Sequence, residues 1–296
     1  MEASVRFSLI LAVLPVIFLL KFIYKHDKER EPKKILSQIF FTGILSVIPV
    51  IYFEKMLEPS FPTDGFMGFG ERILNVFVGV ALVEEFWKFI AAYIYSRKNK
   101  EFNHRYDAIV YCAYGALAFA LVEDLLYIIA SDYSVDLALK RMALALPSHL
   151  CYGIIMGYFY GISQEKKYNK QSLASLFYIV IGLVLSSSIH ALYDAILFQA
   201  AYSLDEEILN TLYYIDIGFV IAYYIICFVI VKIVSKHDLN IDGTAVVGDD
   251  MLKLVPPQIQ QAQPTYVVYN QPAVFCTKCG NVIEGNFCGH CGNPRT

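Results

Sequence analysis

The sequence predicts an all-α polytopic membrane protein. Hydrophobic residues make up 57% of its 296 positions, more than the usual globular share. They are not spread evenly but fall into blocks of roughly 20, the length that crosses a ~30 Å hydrocarbon core. Short charged segments separate the blocks, and Lys and Arg are rich in every second one.

About seven transmembrane helices can be read, at 7–24, 35–53, 73–95, 108–130, 142–163, 173–199 and 211–234. The first is kept as a membrane helix, because only Arg6 charges its start and no small-residue cleavage site precedes Lys25. Its Pro15 predicts a kink. Lys25, Lys28, Arg30, Lys33 and Lys34 follow, then Arg97, Lys98, Lys100 and Arg105, then Lys166, Lys167 and Lys170. The alternate loops are poorer in positive charge, with Lys55 and Arg72, then Lys140 and Arg141, then none beside Asp205, Glu206 and Glu207. The positive-inside rule therefore places the N-terminus outside and the C-terminal tail in the cytoplasm.

Ionisable residues inside the spans are expensive, so they are read as facing the bundle interior and marking function. The third span carries Glu84, Glu85 and Lys88, where the lysine can reach either acid at i,i+4 or i,i+3. The fourth carries Glu123 and Asp124 behind a run of small residues. In the fifth, His149 begins a four-residue repeat with Gly153, Gly157 and Gly161, a stripe for close helix packing. The sixth aligns Gly182, Ser186, His190 and Asp194, so Asp194 can fix the imidazole tautomer. At ~1.5 Å rise per residue, Glu84 lies about 16 Å below the outer end of its helix and Glu123, His149 and His190 about 10–13 Å below theirs. Four helices thus bring acids and imidazoles to one depth in the outer half of the membrane.

This donor set suits a divalent transition metal, zinc by default. His149, His190 and Glu123 could be its ligands, with Glu84 or Glu85 taking a proton from water. Without a metal, Glu84 could activate water directly while a histidine stabilises the oxyanion. Either route hydrolyses an amide inside the membrane. Buried acids and histidines also build proton relays, so a proton-coupled transporter or channel is the rival reading, and a non-catalytic scaffold a third.

The order Glu84-Glu85-x-x-Lys88, Phe119-x-x-x-Glu123-Asp124, His149 and His190-x-x-x-Asp194 resembles the PrsW family of intramembrane proteases. That family lies within the wider group of CAAX-prenyl-endopeptidase-like membrane proteases. Asp27…Glu31-Pro32, Asp107-Ala108-Ile109-Val110-Tyr111 and Gly153-x-x-x-Gly157-Tyr158 stand where the family has similar segments. The resemblance implies an endopeptidase that cuts membrane-anchored proteins, in some bacterial members an anti-sigma factor. It also implies catalytic roles for Glu84, Glu85, Lys88, Glu123, His149, His190 and Asp194, with Glu84 the better candidate for activating water.

Beyond the spans (1–236) the composition changes. A Pro/Gln-rich flexible linker is read over 237–273 and a small domain over 274–296. Cys276-x-x-Cys279-Gly280 and Cys288-x-x-Cys291-Gly292 form paired knuckles, the signature of a zinc ribbon. Four thiolates make a closed, structural zinc site, in a compartment where paired thiols favour metal over disulfide. A cytoplasmic protein partner is the expected ligand of the ribbon. Nucleic acid is the weaker reading, since only Lys278 and Arg295 supply positive charge nearby.

Overall fold

The structure, a computed structural model, describes residues 2–242, 276–279 and 290–291; Cys288 and the Pro/Gln-rich stretch lie outside them. The chain divides into two compact units, 1–246 and 247–296. The first unit is helical: α1 (Glu2–His26), α2 (Lys33–Leu45), α3 (Val47–Leu57), α4 (Phe69–Val76), α5 (Leu82–Ser96), α6 (Arg105–Ala130), α7 (Val135–Lys140), α8 (Leu146–Tyr168), α9 (Ser172–Ala201) and α10 (Glu206–Lys236). Two π-turns, Phe77–Ala81 and Arg141–Ala145, join α4 to α5 and α7 to α8.

Among the described residues, six helical runs are long and apolar enough to cross a membrane: Ser4–His26, Lys33–Leu57, Arg105–Ala130, Val135–Tyr168, Ser172–Ala201 and Glu206–Lys236. The seventh expected span, 73–95, is also one continuous helical run. Glu84, Glu85 and Lys88 set three charged side chains close together within it. The second span is interrupted at Ser46, whose Oγ donates to Gly43 O at 2.6 Å, a hydroxyl bonding back to the helix as such residues often do.

Buried α6 forms the axis of the bundle. Its Tyr106–Ala113 and Ala116–Ala120 segments are sealed on all sides. The small-residue stripe of α8 faces it, as its spacing predicts. A Cβ added at Gly157 would come within 2.5 Å of Ile109 Cα, and one at Gly161 within 2.6 Å of Arg105 O. From the other side, a Cβ at Gly43 of α2 would meet Gly115 O at 2.6 Å. Backbones this close need glycine, and in a membrane such packing replaces the hydrophobic drive between helices.

At the N-terminal end of α6, the chain after α10 returns to the bundle. Arg105 N donates to Leu239 O (2.9 Å) and Ile241 N to Asn103 O (2.8 Å). The linker expected from 237 therefore starts with a paired segment, because α6 leaves backbone donors there to be satisfied. Four buried acids meet at this end: Asp27, Glu31, Asp107 and Asp238. Asp107 Oδ2 accepts from His104 N (2.8 Å) and Asn103 N (3.0 Å), Asp238 Oδ1 from Tyr106 N (3.1 Å), and Glu31 from Tyr111 OH. Burial pushes the Asp27 carboxyl up to about 6 and that of Glu31 to about 7.

At the other end, Arg72 is fully buried. It donates to Thr63 O (2.5 Å), Gly65 O (2.6 Å) and Gln199 Oε1 (2.8 Å). One guanidinium thereby fixes the irregular loop after α3 against α9.

Candidate active site

Glu84 and Glu85 sit in the first turn of α5, immediately after the π-turn, and both are buried. Lys88 Nζ donates to Glu84 Oε2 (2.7 Å), Glu85 Oε1 (2.8 Å) and His149 Nδ1 (2.9 Å). An ammonium has three donors and no acceptor, so all three are in use. The lysine, expected to reach either acid, holds both, because the i,i+3 and i,i+4 positions flank it on one side of the helix. With Nδ1 accepting, His149 carries its proton on Nε2, which faces Glu123 Oε2 at 2.9 Å.

His190 on α9 is held from two sides. Its Nδ1 lies 3.0 Å from Glu85 Oε1, and its Nε2 lies 3.2 Å from Asp194 Oδ2 and 3.9 Å from Glu84 Oε2. The expected contact with Asp194 is present, and Glu85 adds a second that sequence spacing on α9 alone does not reveal. The His149 and His190 rings are 5.6 Å apart. Tyr152 stacks on His190 at 4.7 Å and meets His149 edge-on at 5.8 Å.

Glu123 and Asp124 are clamped by Arg141, with Nη2 at 2.9 Å from Glu123 Oε1 and Nε at 2.5 Å from Asp124 Oδ1. Arg141 stands in the second π-turn, and sequence reasoning had counted it only as a loop charge. The signal that could have found it is its place eight residues before His149 on the same helical run. Glu54 of α3 was missed as well. It shares with the others a cavity of about 540 Å³, lined also by Glu84, Glu123, Arg141, His149, His190 and Asp194. Glu84 lines this cavity and Glu85 does not. All seven polar residues expected from the sequence, Glu84, Glu85, Lys88, Glu123, His149, His190 and Asp194, are thus in one contiguous network.

A family model described as PrsW family intramembrane metalloprotease matches residues 31–233. The chain belongs to the PrsW family. Its similarity to the protease PrsW of Halalkalibacterium halodurans is 36% identity over 64% of this chain and 84% of the relative. With the protease PrsW of Oceanobacillus iheyensis the figures are 30%, 62% and 80%, and with that of Bacillus subtilis 31%, 62% and 80%. No solved structure matches. The protein is an intramembrane metalloprotease, which sets the transporter reading aside.

The PrsW description implies a metal, and the residues present fit one. One carboxylate oxygen each from Glu84 and Glu123 and one nitrogen of His149 lie within 4.8 Å of one another, and a second such group joins Glu84, Glu85 and His190. Glu123 Oε2 is buried without a hydrogen-bond partner, although His149 Nε2 is 2.9 Å away. Imidazole and carboxylate donors are those zinc takes at catalytic sites. The ligand set expected from sequence, His149, His190 and Glu123, is divided between the two groups, with Glu84 common to both. In the second unit, Cys276, Cys279 and Cys291 also bring their sulfurs within 4.8 Å of one another. The fourth expected ligand, Cys288, lies outside the described residues.

Proposed function

We propose that this PrsW-family protease hydrolyses a peptide bond of a membrane-anchored protein within the 540 Å³ cavity, in the half of the bilayer that faces outside. The observation that carries this is the cavity itself. It brings Glu84, Glu123, His149 and His190 from four helices to one open space, where structural ion pairs would be packed shut.

Glu123 and His149 would hold the metal with Glu84 beside them, and taking His149 through Nε2 would move its proton to Nδ1, where Lys88 would give up its contact. When bound, a zinc ion there supplies a Lewis acid and lowers the pKa of water. The chain's own residues do the rest. Glu84, exposed to the cavity, accepts a proton from the attacking water; Glu85, turned away from it, orients His190 through Nδ1. Lys88 holds both acids at fixed positions and offsets their charge. Arg141 fixes Glu123 toward His149. His190 Nε2, beside Asp194, is placed to pass a proton to the departing amine.

The loop charges support an outside N-terminus and a cytoplasmic cysteine-rich unit. There Cys276, Cys279, Cys288 and Cys291 would hold a structural zinc, and the ribbon would bind a cytoplasmic protein. An anti-sigma-factor-like regulator is the substrate class the family suggests.

The test uses full-length protein in lipid nanodiscs with a single-pass membrane substrate. Glu84→Gln lowers kcat on the order of 10²–10⁴-fold, and a chelator abolishes cleavage until zinc is returned. Metal analysis gives about two zinc per chain, falling to one in Cys276→Ser. Full cleavage by Glu84→Gln would remove the site.

A further inference from the structure

One side of helix α3 forms a wall of the cavity. Val47, Val50, Ile51, Glu54 and Glu58 recur at helical spacing and line it. Glu54 is half-buried and lies within electrostatic reach of Glu84, Glu123, Lys88 and His190.

The other cavity acids are all held. Lys88 holds Glu84 and Glu85, Arg141 holds Glu123 and Asp124, and His190 contacts Asp194. Glu54 has no hydrogen bond or ion pair from its side chain among the described residues. Lys55, next to it in sequence, also lines the cavity without pairing with it.

Charge around the cavity is unbalanced in the same sense. The acids just named, with Glu58, outnumber Lys55, Lys88 and Arg141 by four. On formal charges, a divalent metal ion would leave the site negative still. A substrate carboxylate entering here meets like charge, and an apolar side chain leaves Glu54 desolvated and unpaired. A cationic side chain satisfies both its hydrogen-bonding capacity and its charge, and charge complementarity of this kind sets specificity more than raw affinity.

We propose that Glu54 is the specificity residue of this cavity, pairing with the ammonium or guanidinium of a Lys or Arg that flanks the scissile bond of the substrate. The assignment rests on the reading of the cavity as the proteolytic site. It goes beyond that reading by naming the chemistry of the segment cut and the helix that recognises it.

The experiment uses full-length protein in lipid nanodiscs and a set of otherwise identical single-pass substrates. Each carries Lys, Ala or Glu at one of the positions flanking the cleaved bond. At one such position, the Lys substrate is cut with kcat/KM about 30-fold or more above the Glu substrate. Glu54→Gln, nearly the same shape, brings the two within about 3-fold by removing the paired charge, and Glu54→Lys reverses the order. Equal cleavage of the three by the parent protein, or a preference kept by Glu54→Gln, overturns the proposal. The same ranking is read independently as photo-crosslinking of each substrate to Glu84→Gln protein. If no substrate is cleaved, the proteolytic reading of the cavity fails, while the crosslinking order with and without Glu54→Gln still decides for or against the role of Glu54.

Discussion

Around the cavity, Glu84, Glu85, Glu123 and Asp124 each touch Lys88 or Arg141. At the far end of α6, sixteen residues or about 24 Å away, Asp27, Glu31, Asp107 and Asp238 are buried but form no ion pair with Lys or Arg among the described residues. They take hydrogen bonds from backbone amides and from Tyr111 instead. A cation beside a buried acid keeps it charged, and a buried acid without one drifts toward its neutral form. The first arrangement sets acids and their cations beside an open space. The second disposes of charge where α6, the loop after α1 and the chain after α10 are tied together.

Three variants break or sharpen that contrast. Lys88→Met removes the shared cation from one end, leaving Glu84 and His149 Nδ1 without that hydrogen bond and Glu85 with His190 alone. The expected loss is about 3–5 kcal/mol, read as a fall in unfolding temperature in detergent together with loss of cleavage. A variant as stable as its parent would mean that the acids there do not depend on the lysine.

The opposite end responds to pH. The carboxyls of Asp27 and Glu31 hold their protons up to about 6 and about 7, while in the unfolded chain they release them near 4. Between these values the folded state binds more protons, so stability falls as pH rises from about 4 to about 7. Glu31→Gln, which stays neutral, flattens that fall and leaves cleavage within about 3-fold, since it touches no cavity residue. A thermal-unfolding series from pH 4 to 8 checks both. A slope of opposite sign would show that Glu31 is held as a carboxylate.

The smallest effect tests the contact that joins the two ends. Gly157→Ala places a Cβ 2.5 Å from Ile109 Cα, forcing α8 away from α6 at a cost of about 1–3 kcal/mol. Gly218→Ala, where nothing lies within 4 Å, is the neutral control in the same unfolding assay.

The spans and the site histidines were legible in the sequence because both leave periodic marks. Runs of roughly 20 apolar residues locate helices, and His149-Gly153-Gly157 and Ser186-His190-Asp194 each show which side faces inward. The acid pairs stood out because charge in such runs is rare. Partnerships between helices were not legible. Nothing in one sequence says that Glu85 reaches His190 across α5 and α9, or that Arg141 closes on Glu123 from another helix. Glu54 was hidden by its place near the end of a span, where an exposed carboxylate is ordinary. The paired segment after α10 was hidden by polar composition, which looks the same in a docked strand and a free linker. The π-turns have no composition of their own.

Those π-turns make the site depend on the length of the chain. Phe77–Ala81 ends three residues before Glu84, and Arg141–Ala145 four residues before His149. Each turn accommodates one residue more than an α-turn would, which rotates everything after it by about 100°. Deleting a single residue from 77–81 would let the helix run straight and carry Glu84, Glu85 and Lys88 off the cavity together, with every one of them intact. A gap of one position there can silence the enzyme as surely as replacing Glu84, and a comparison that scores only the identities of the catalytic residues would not see it.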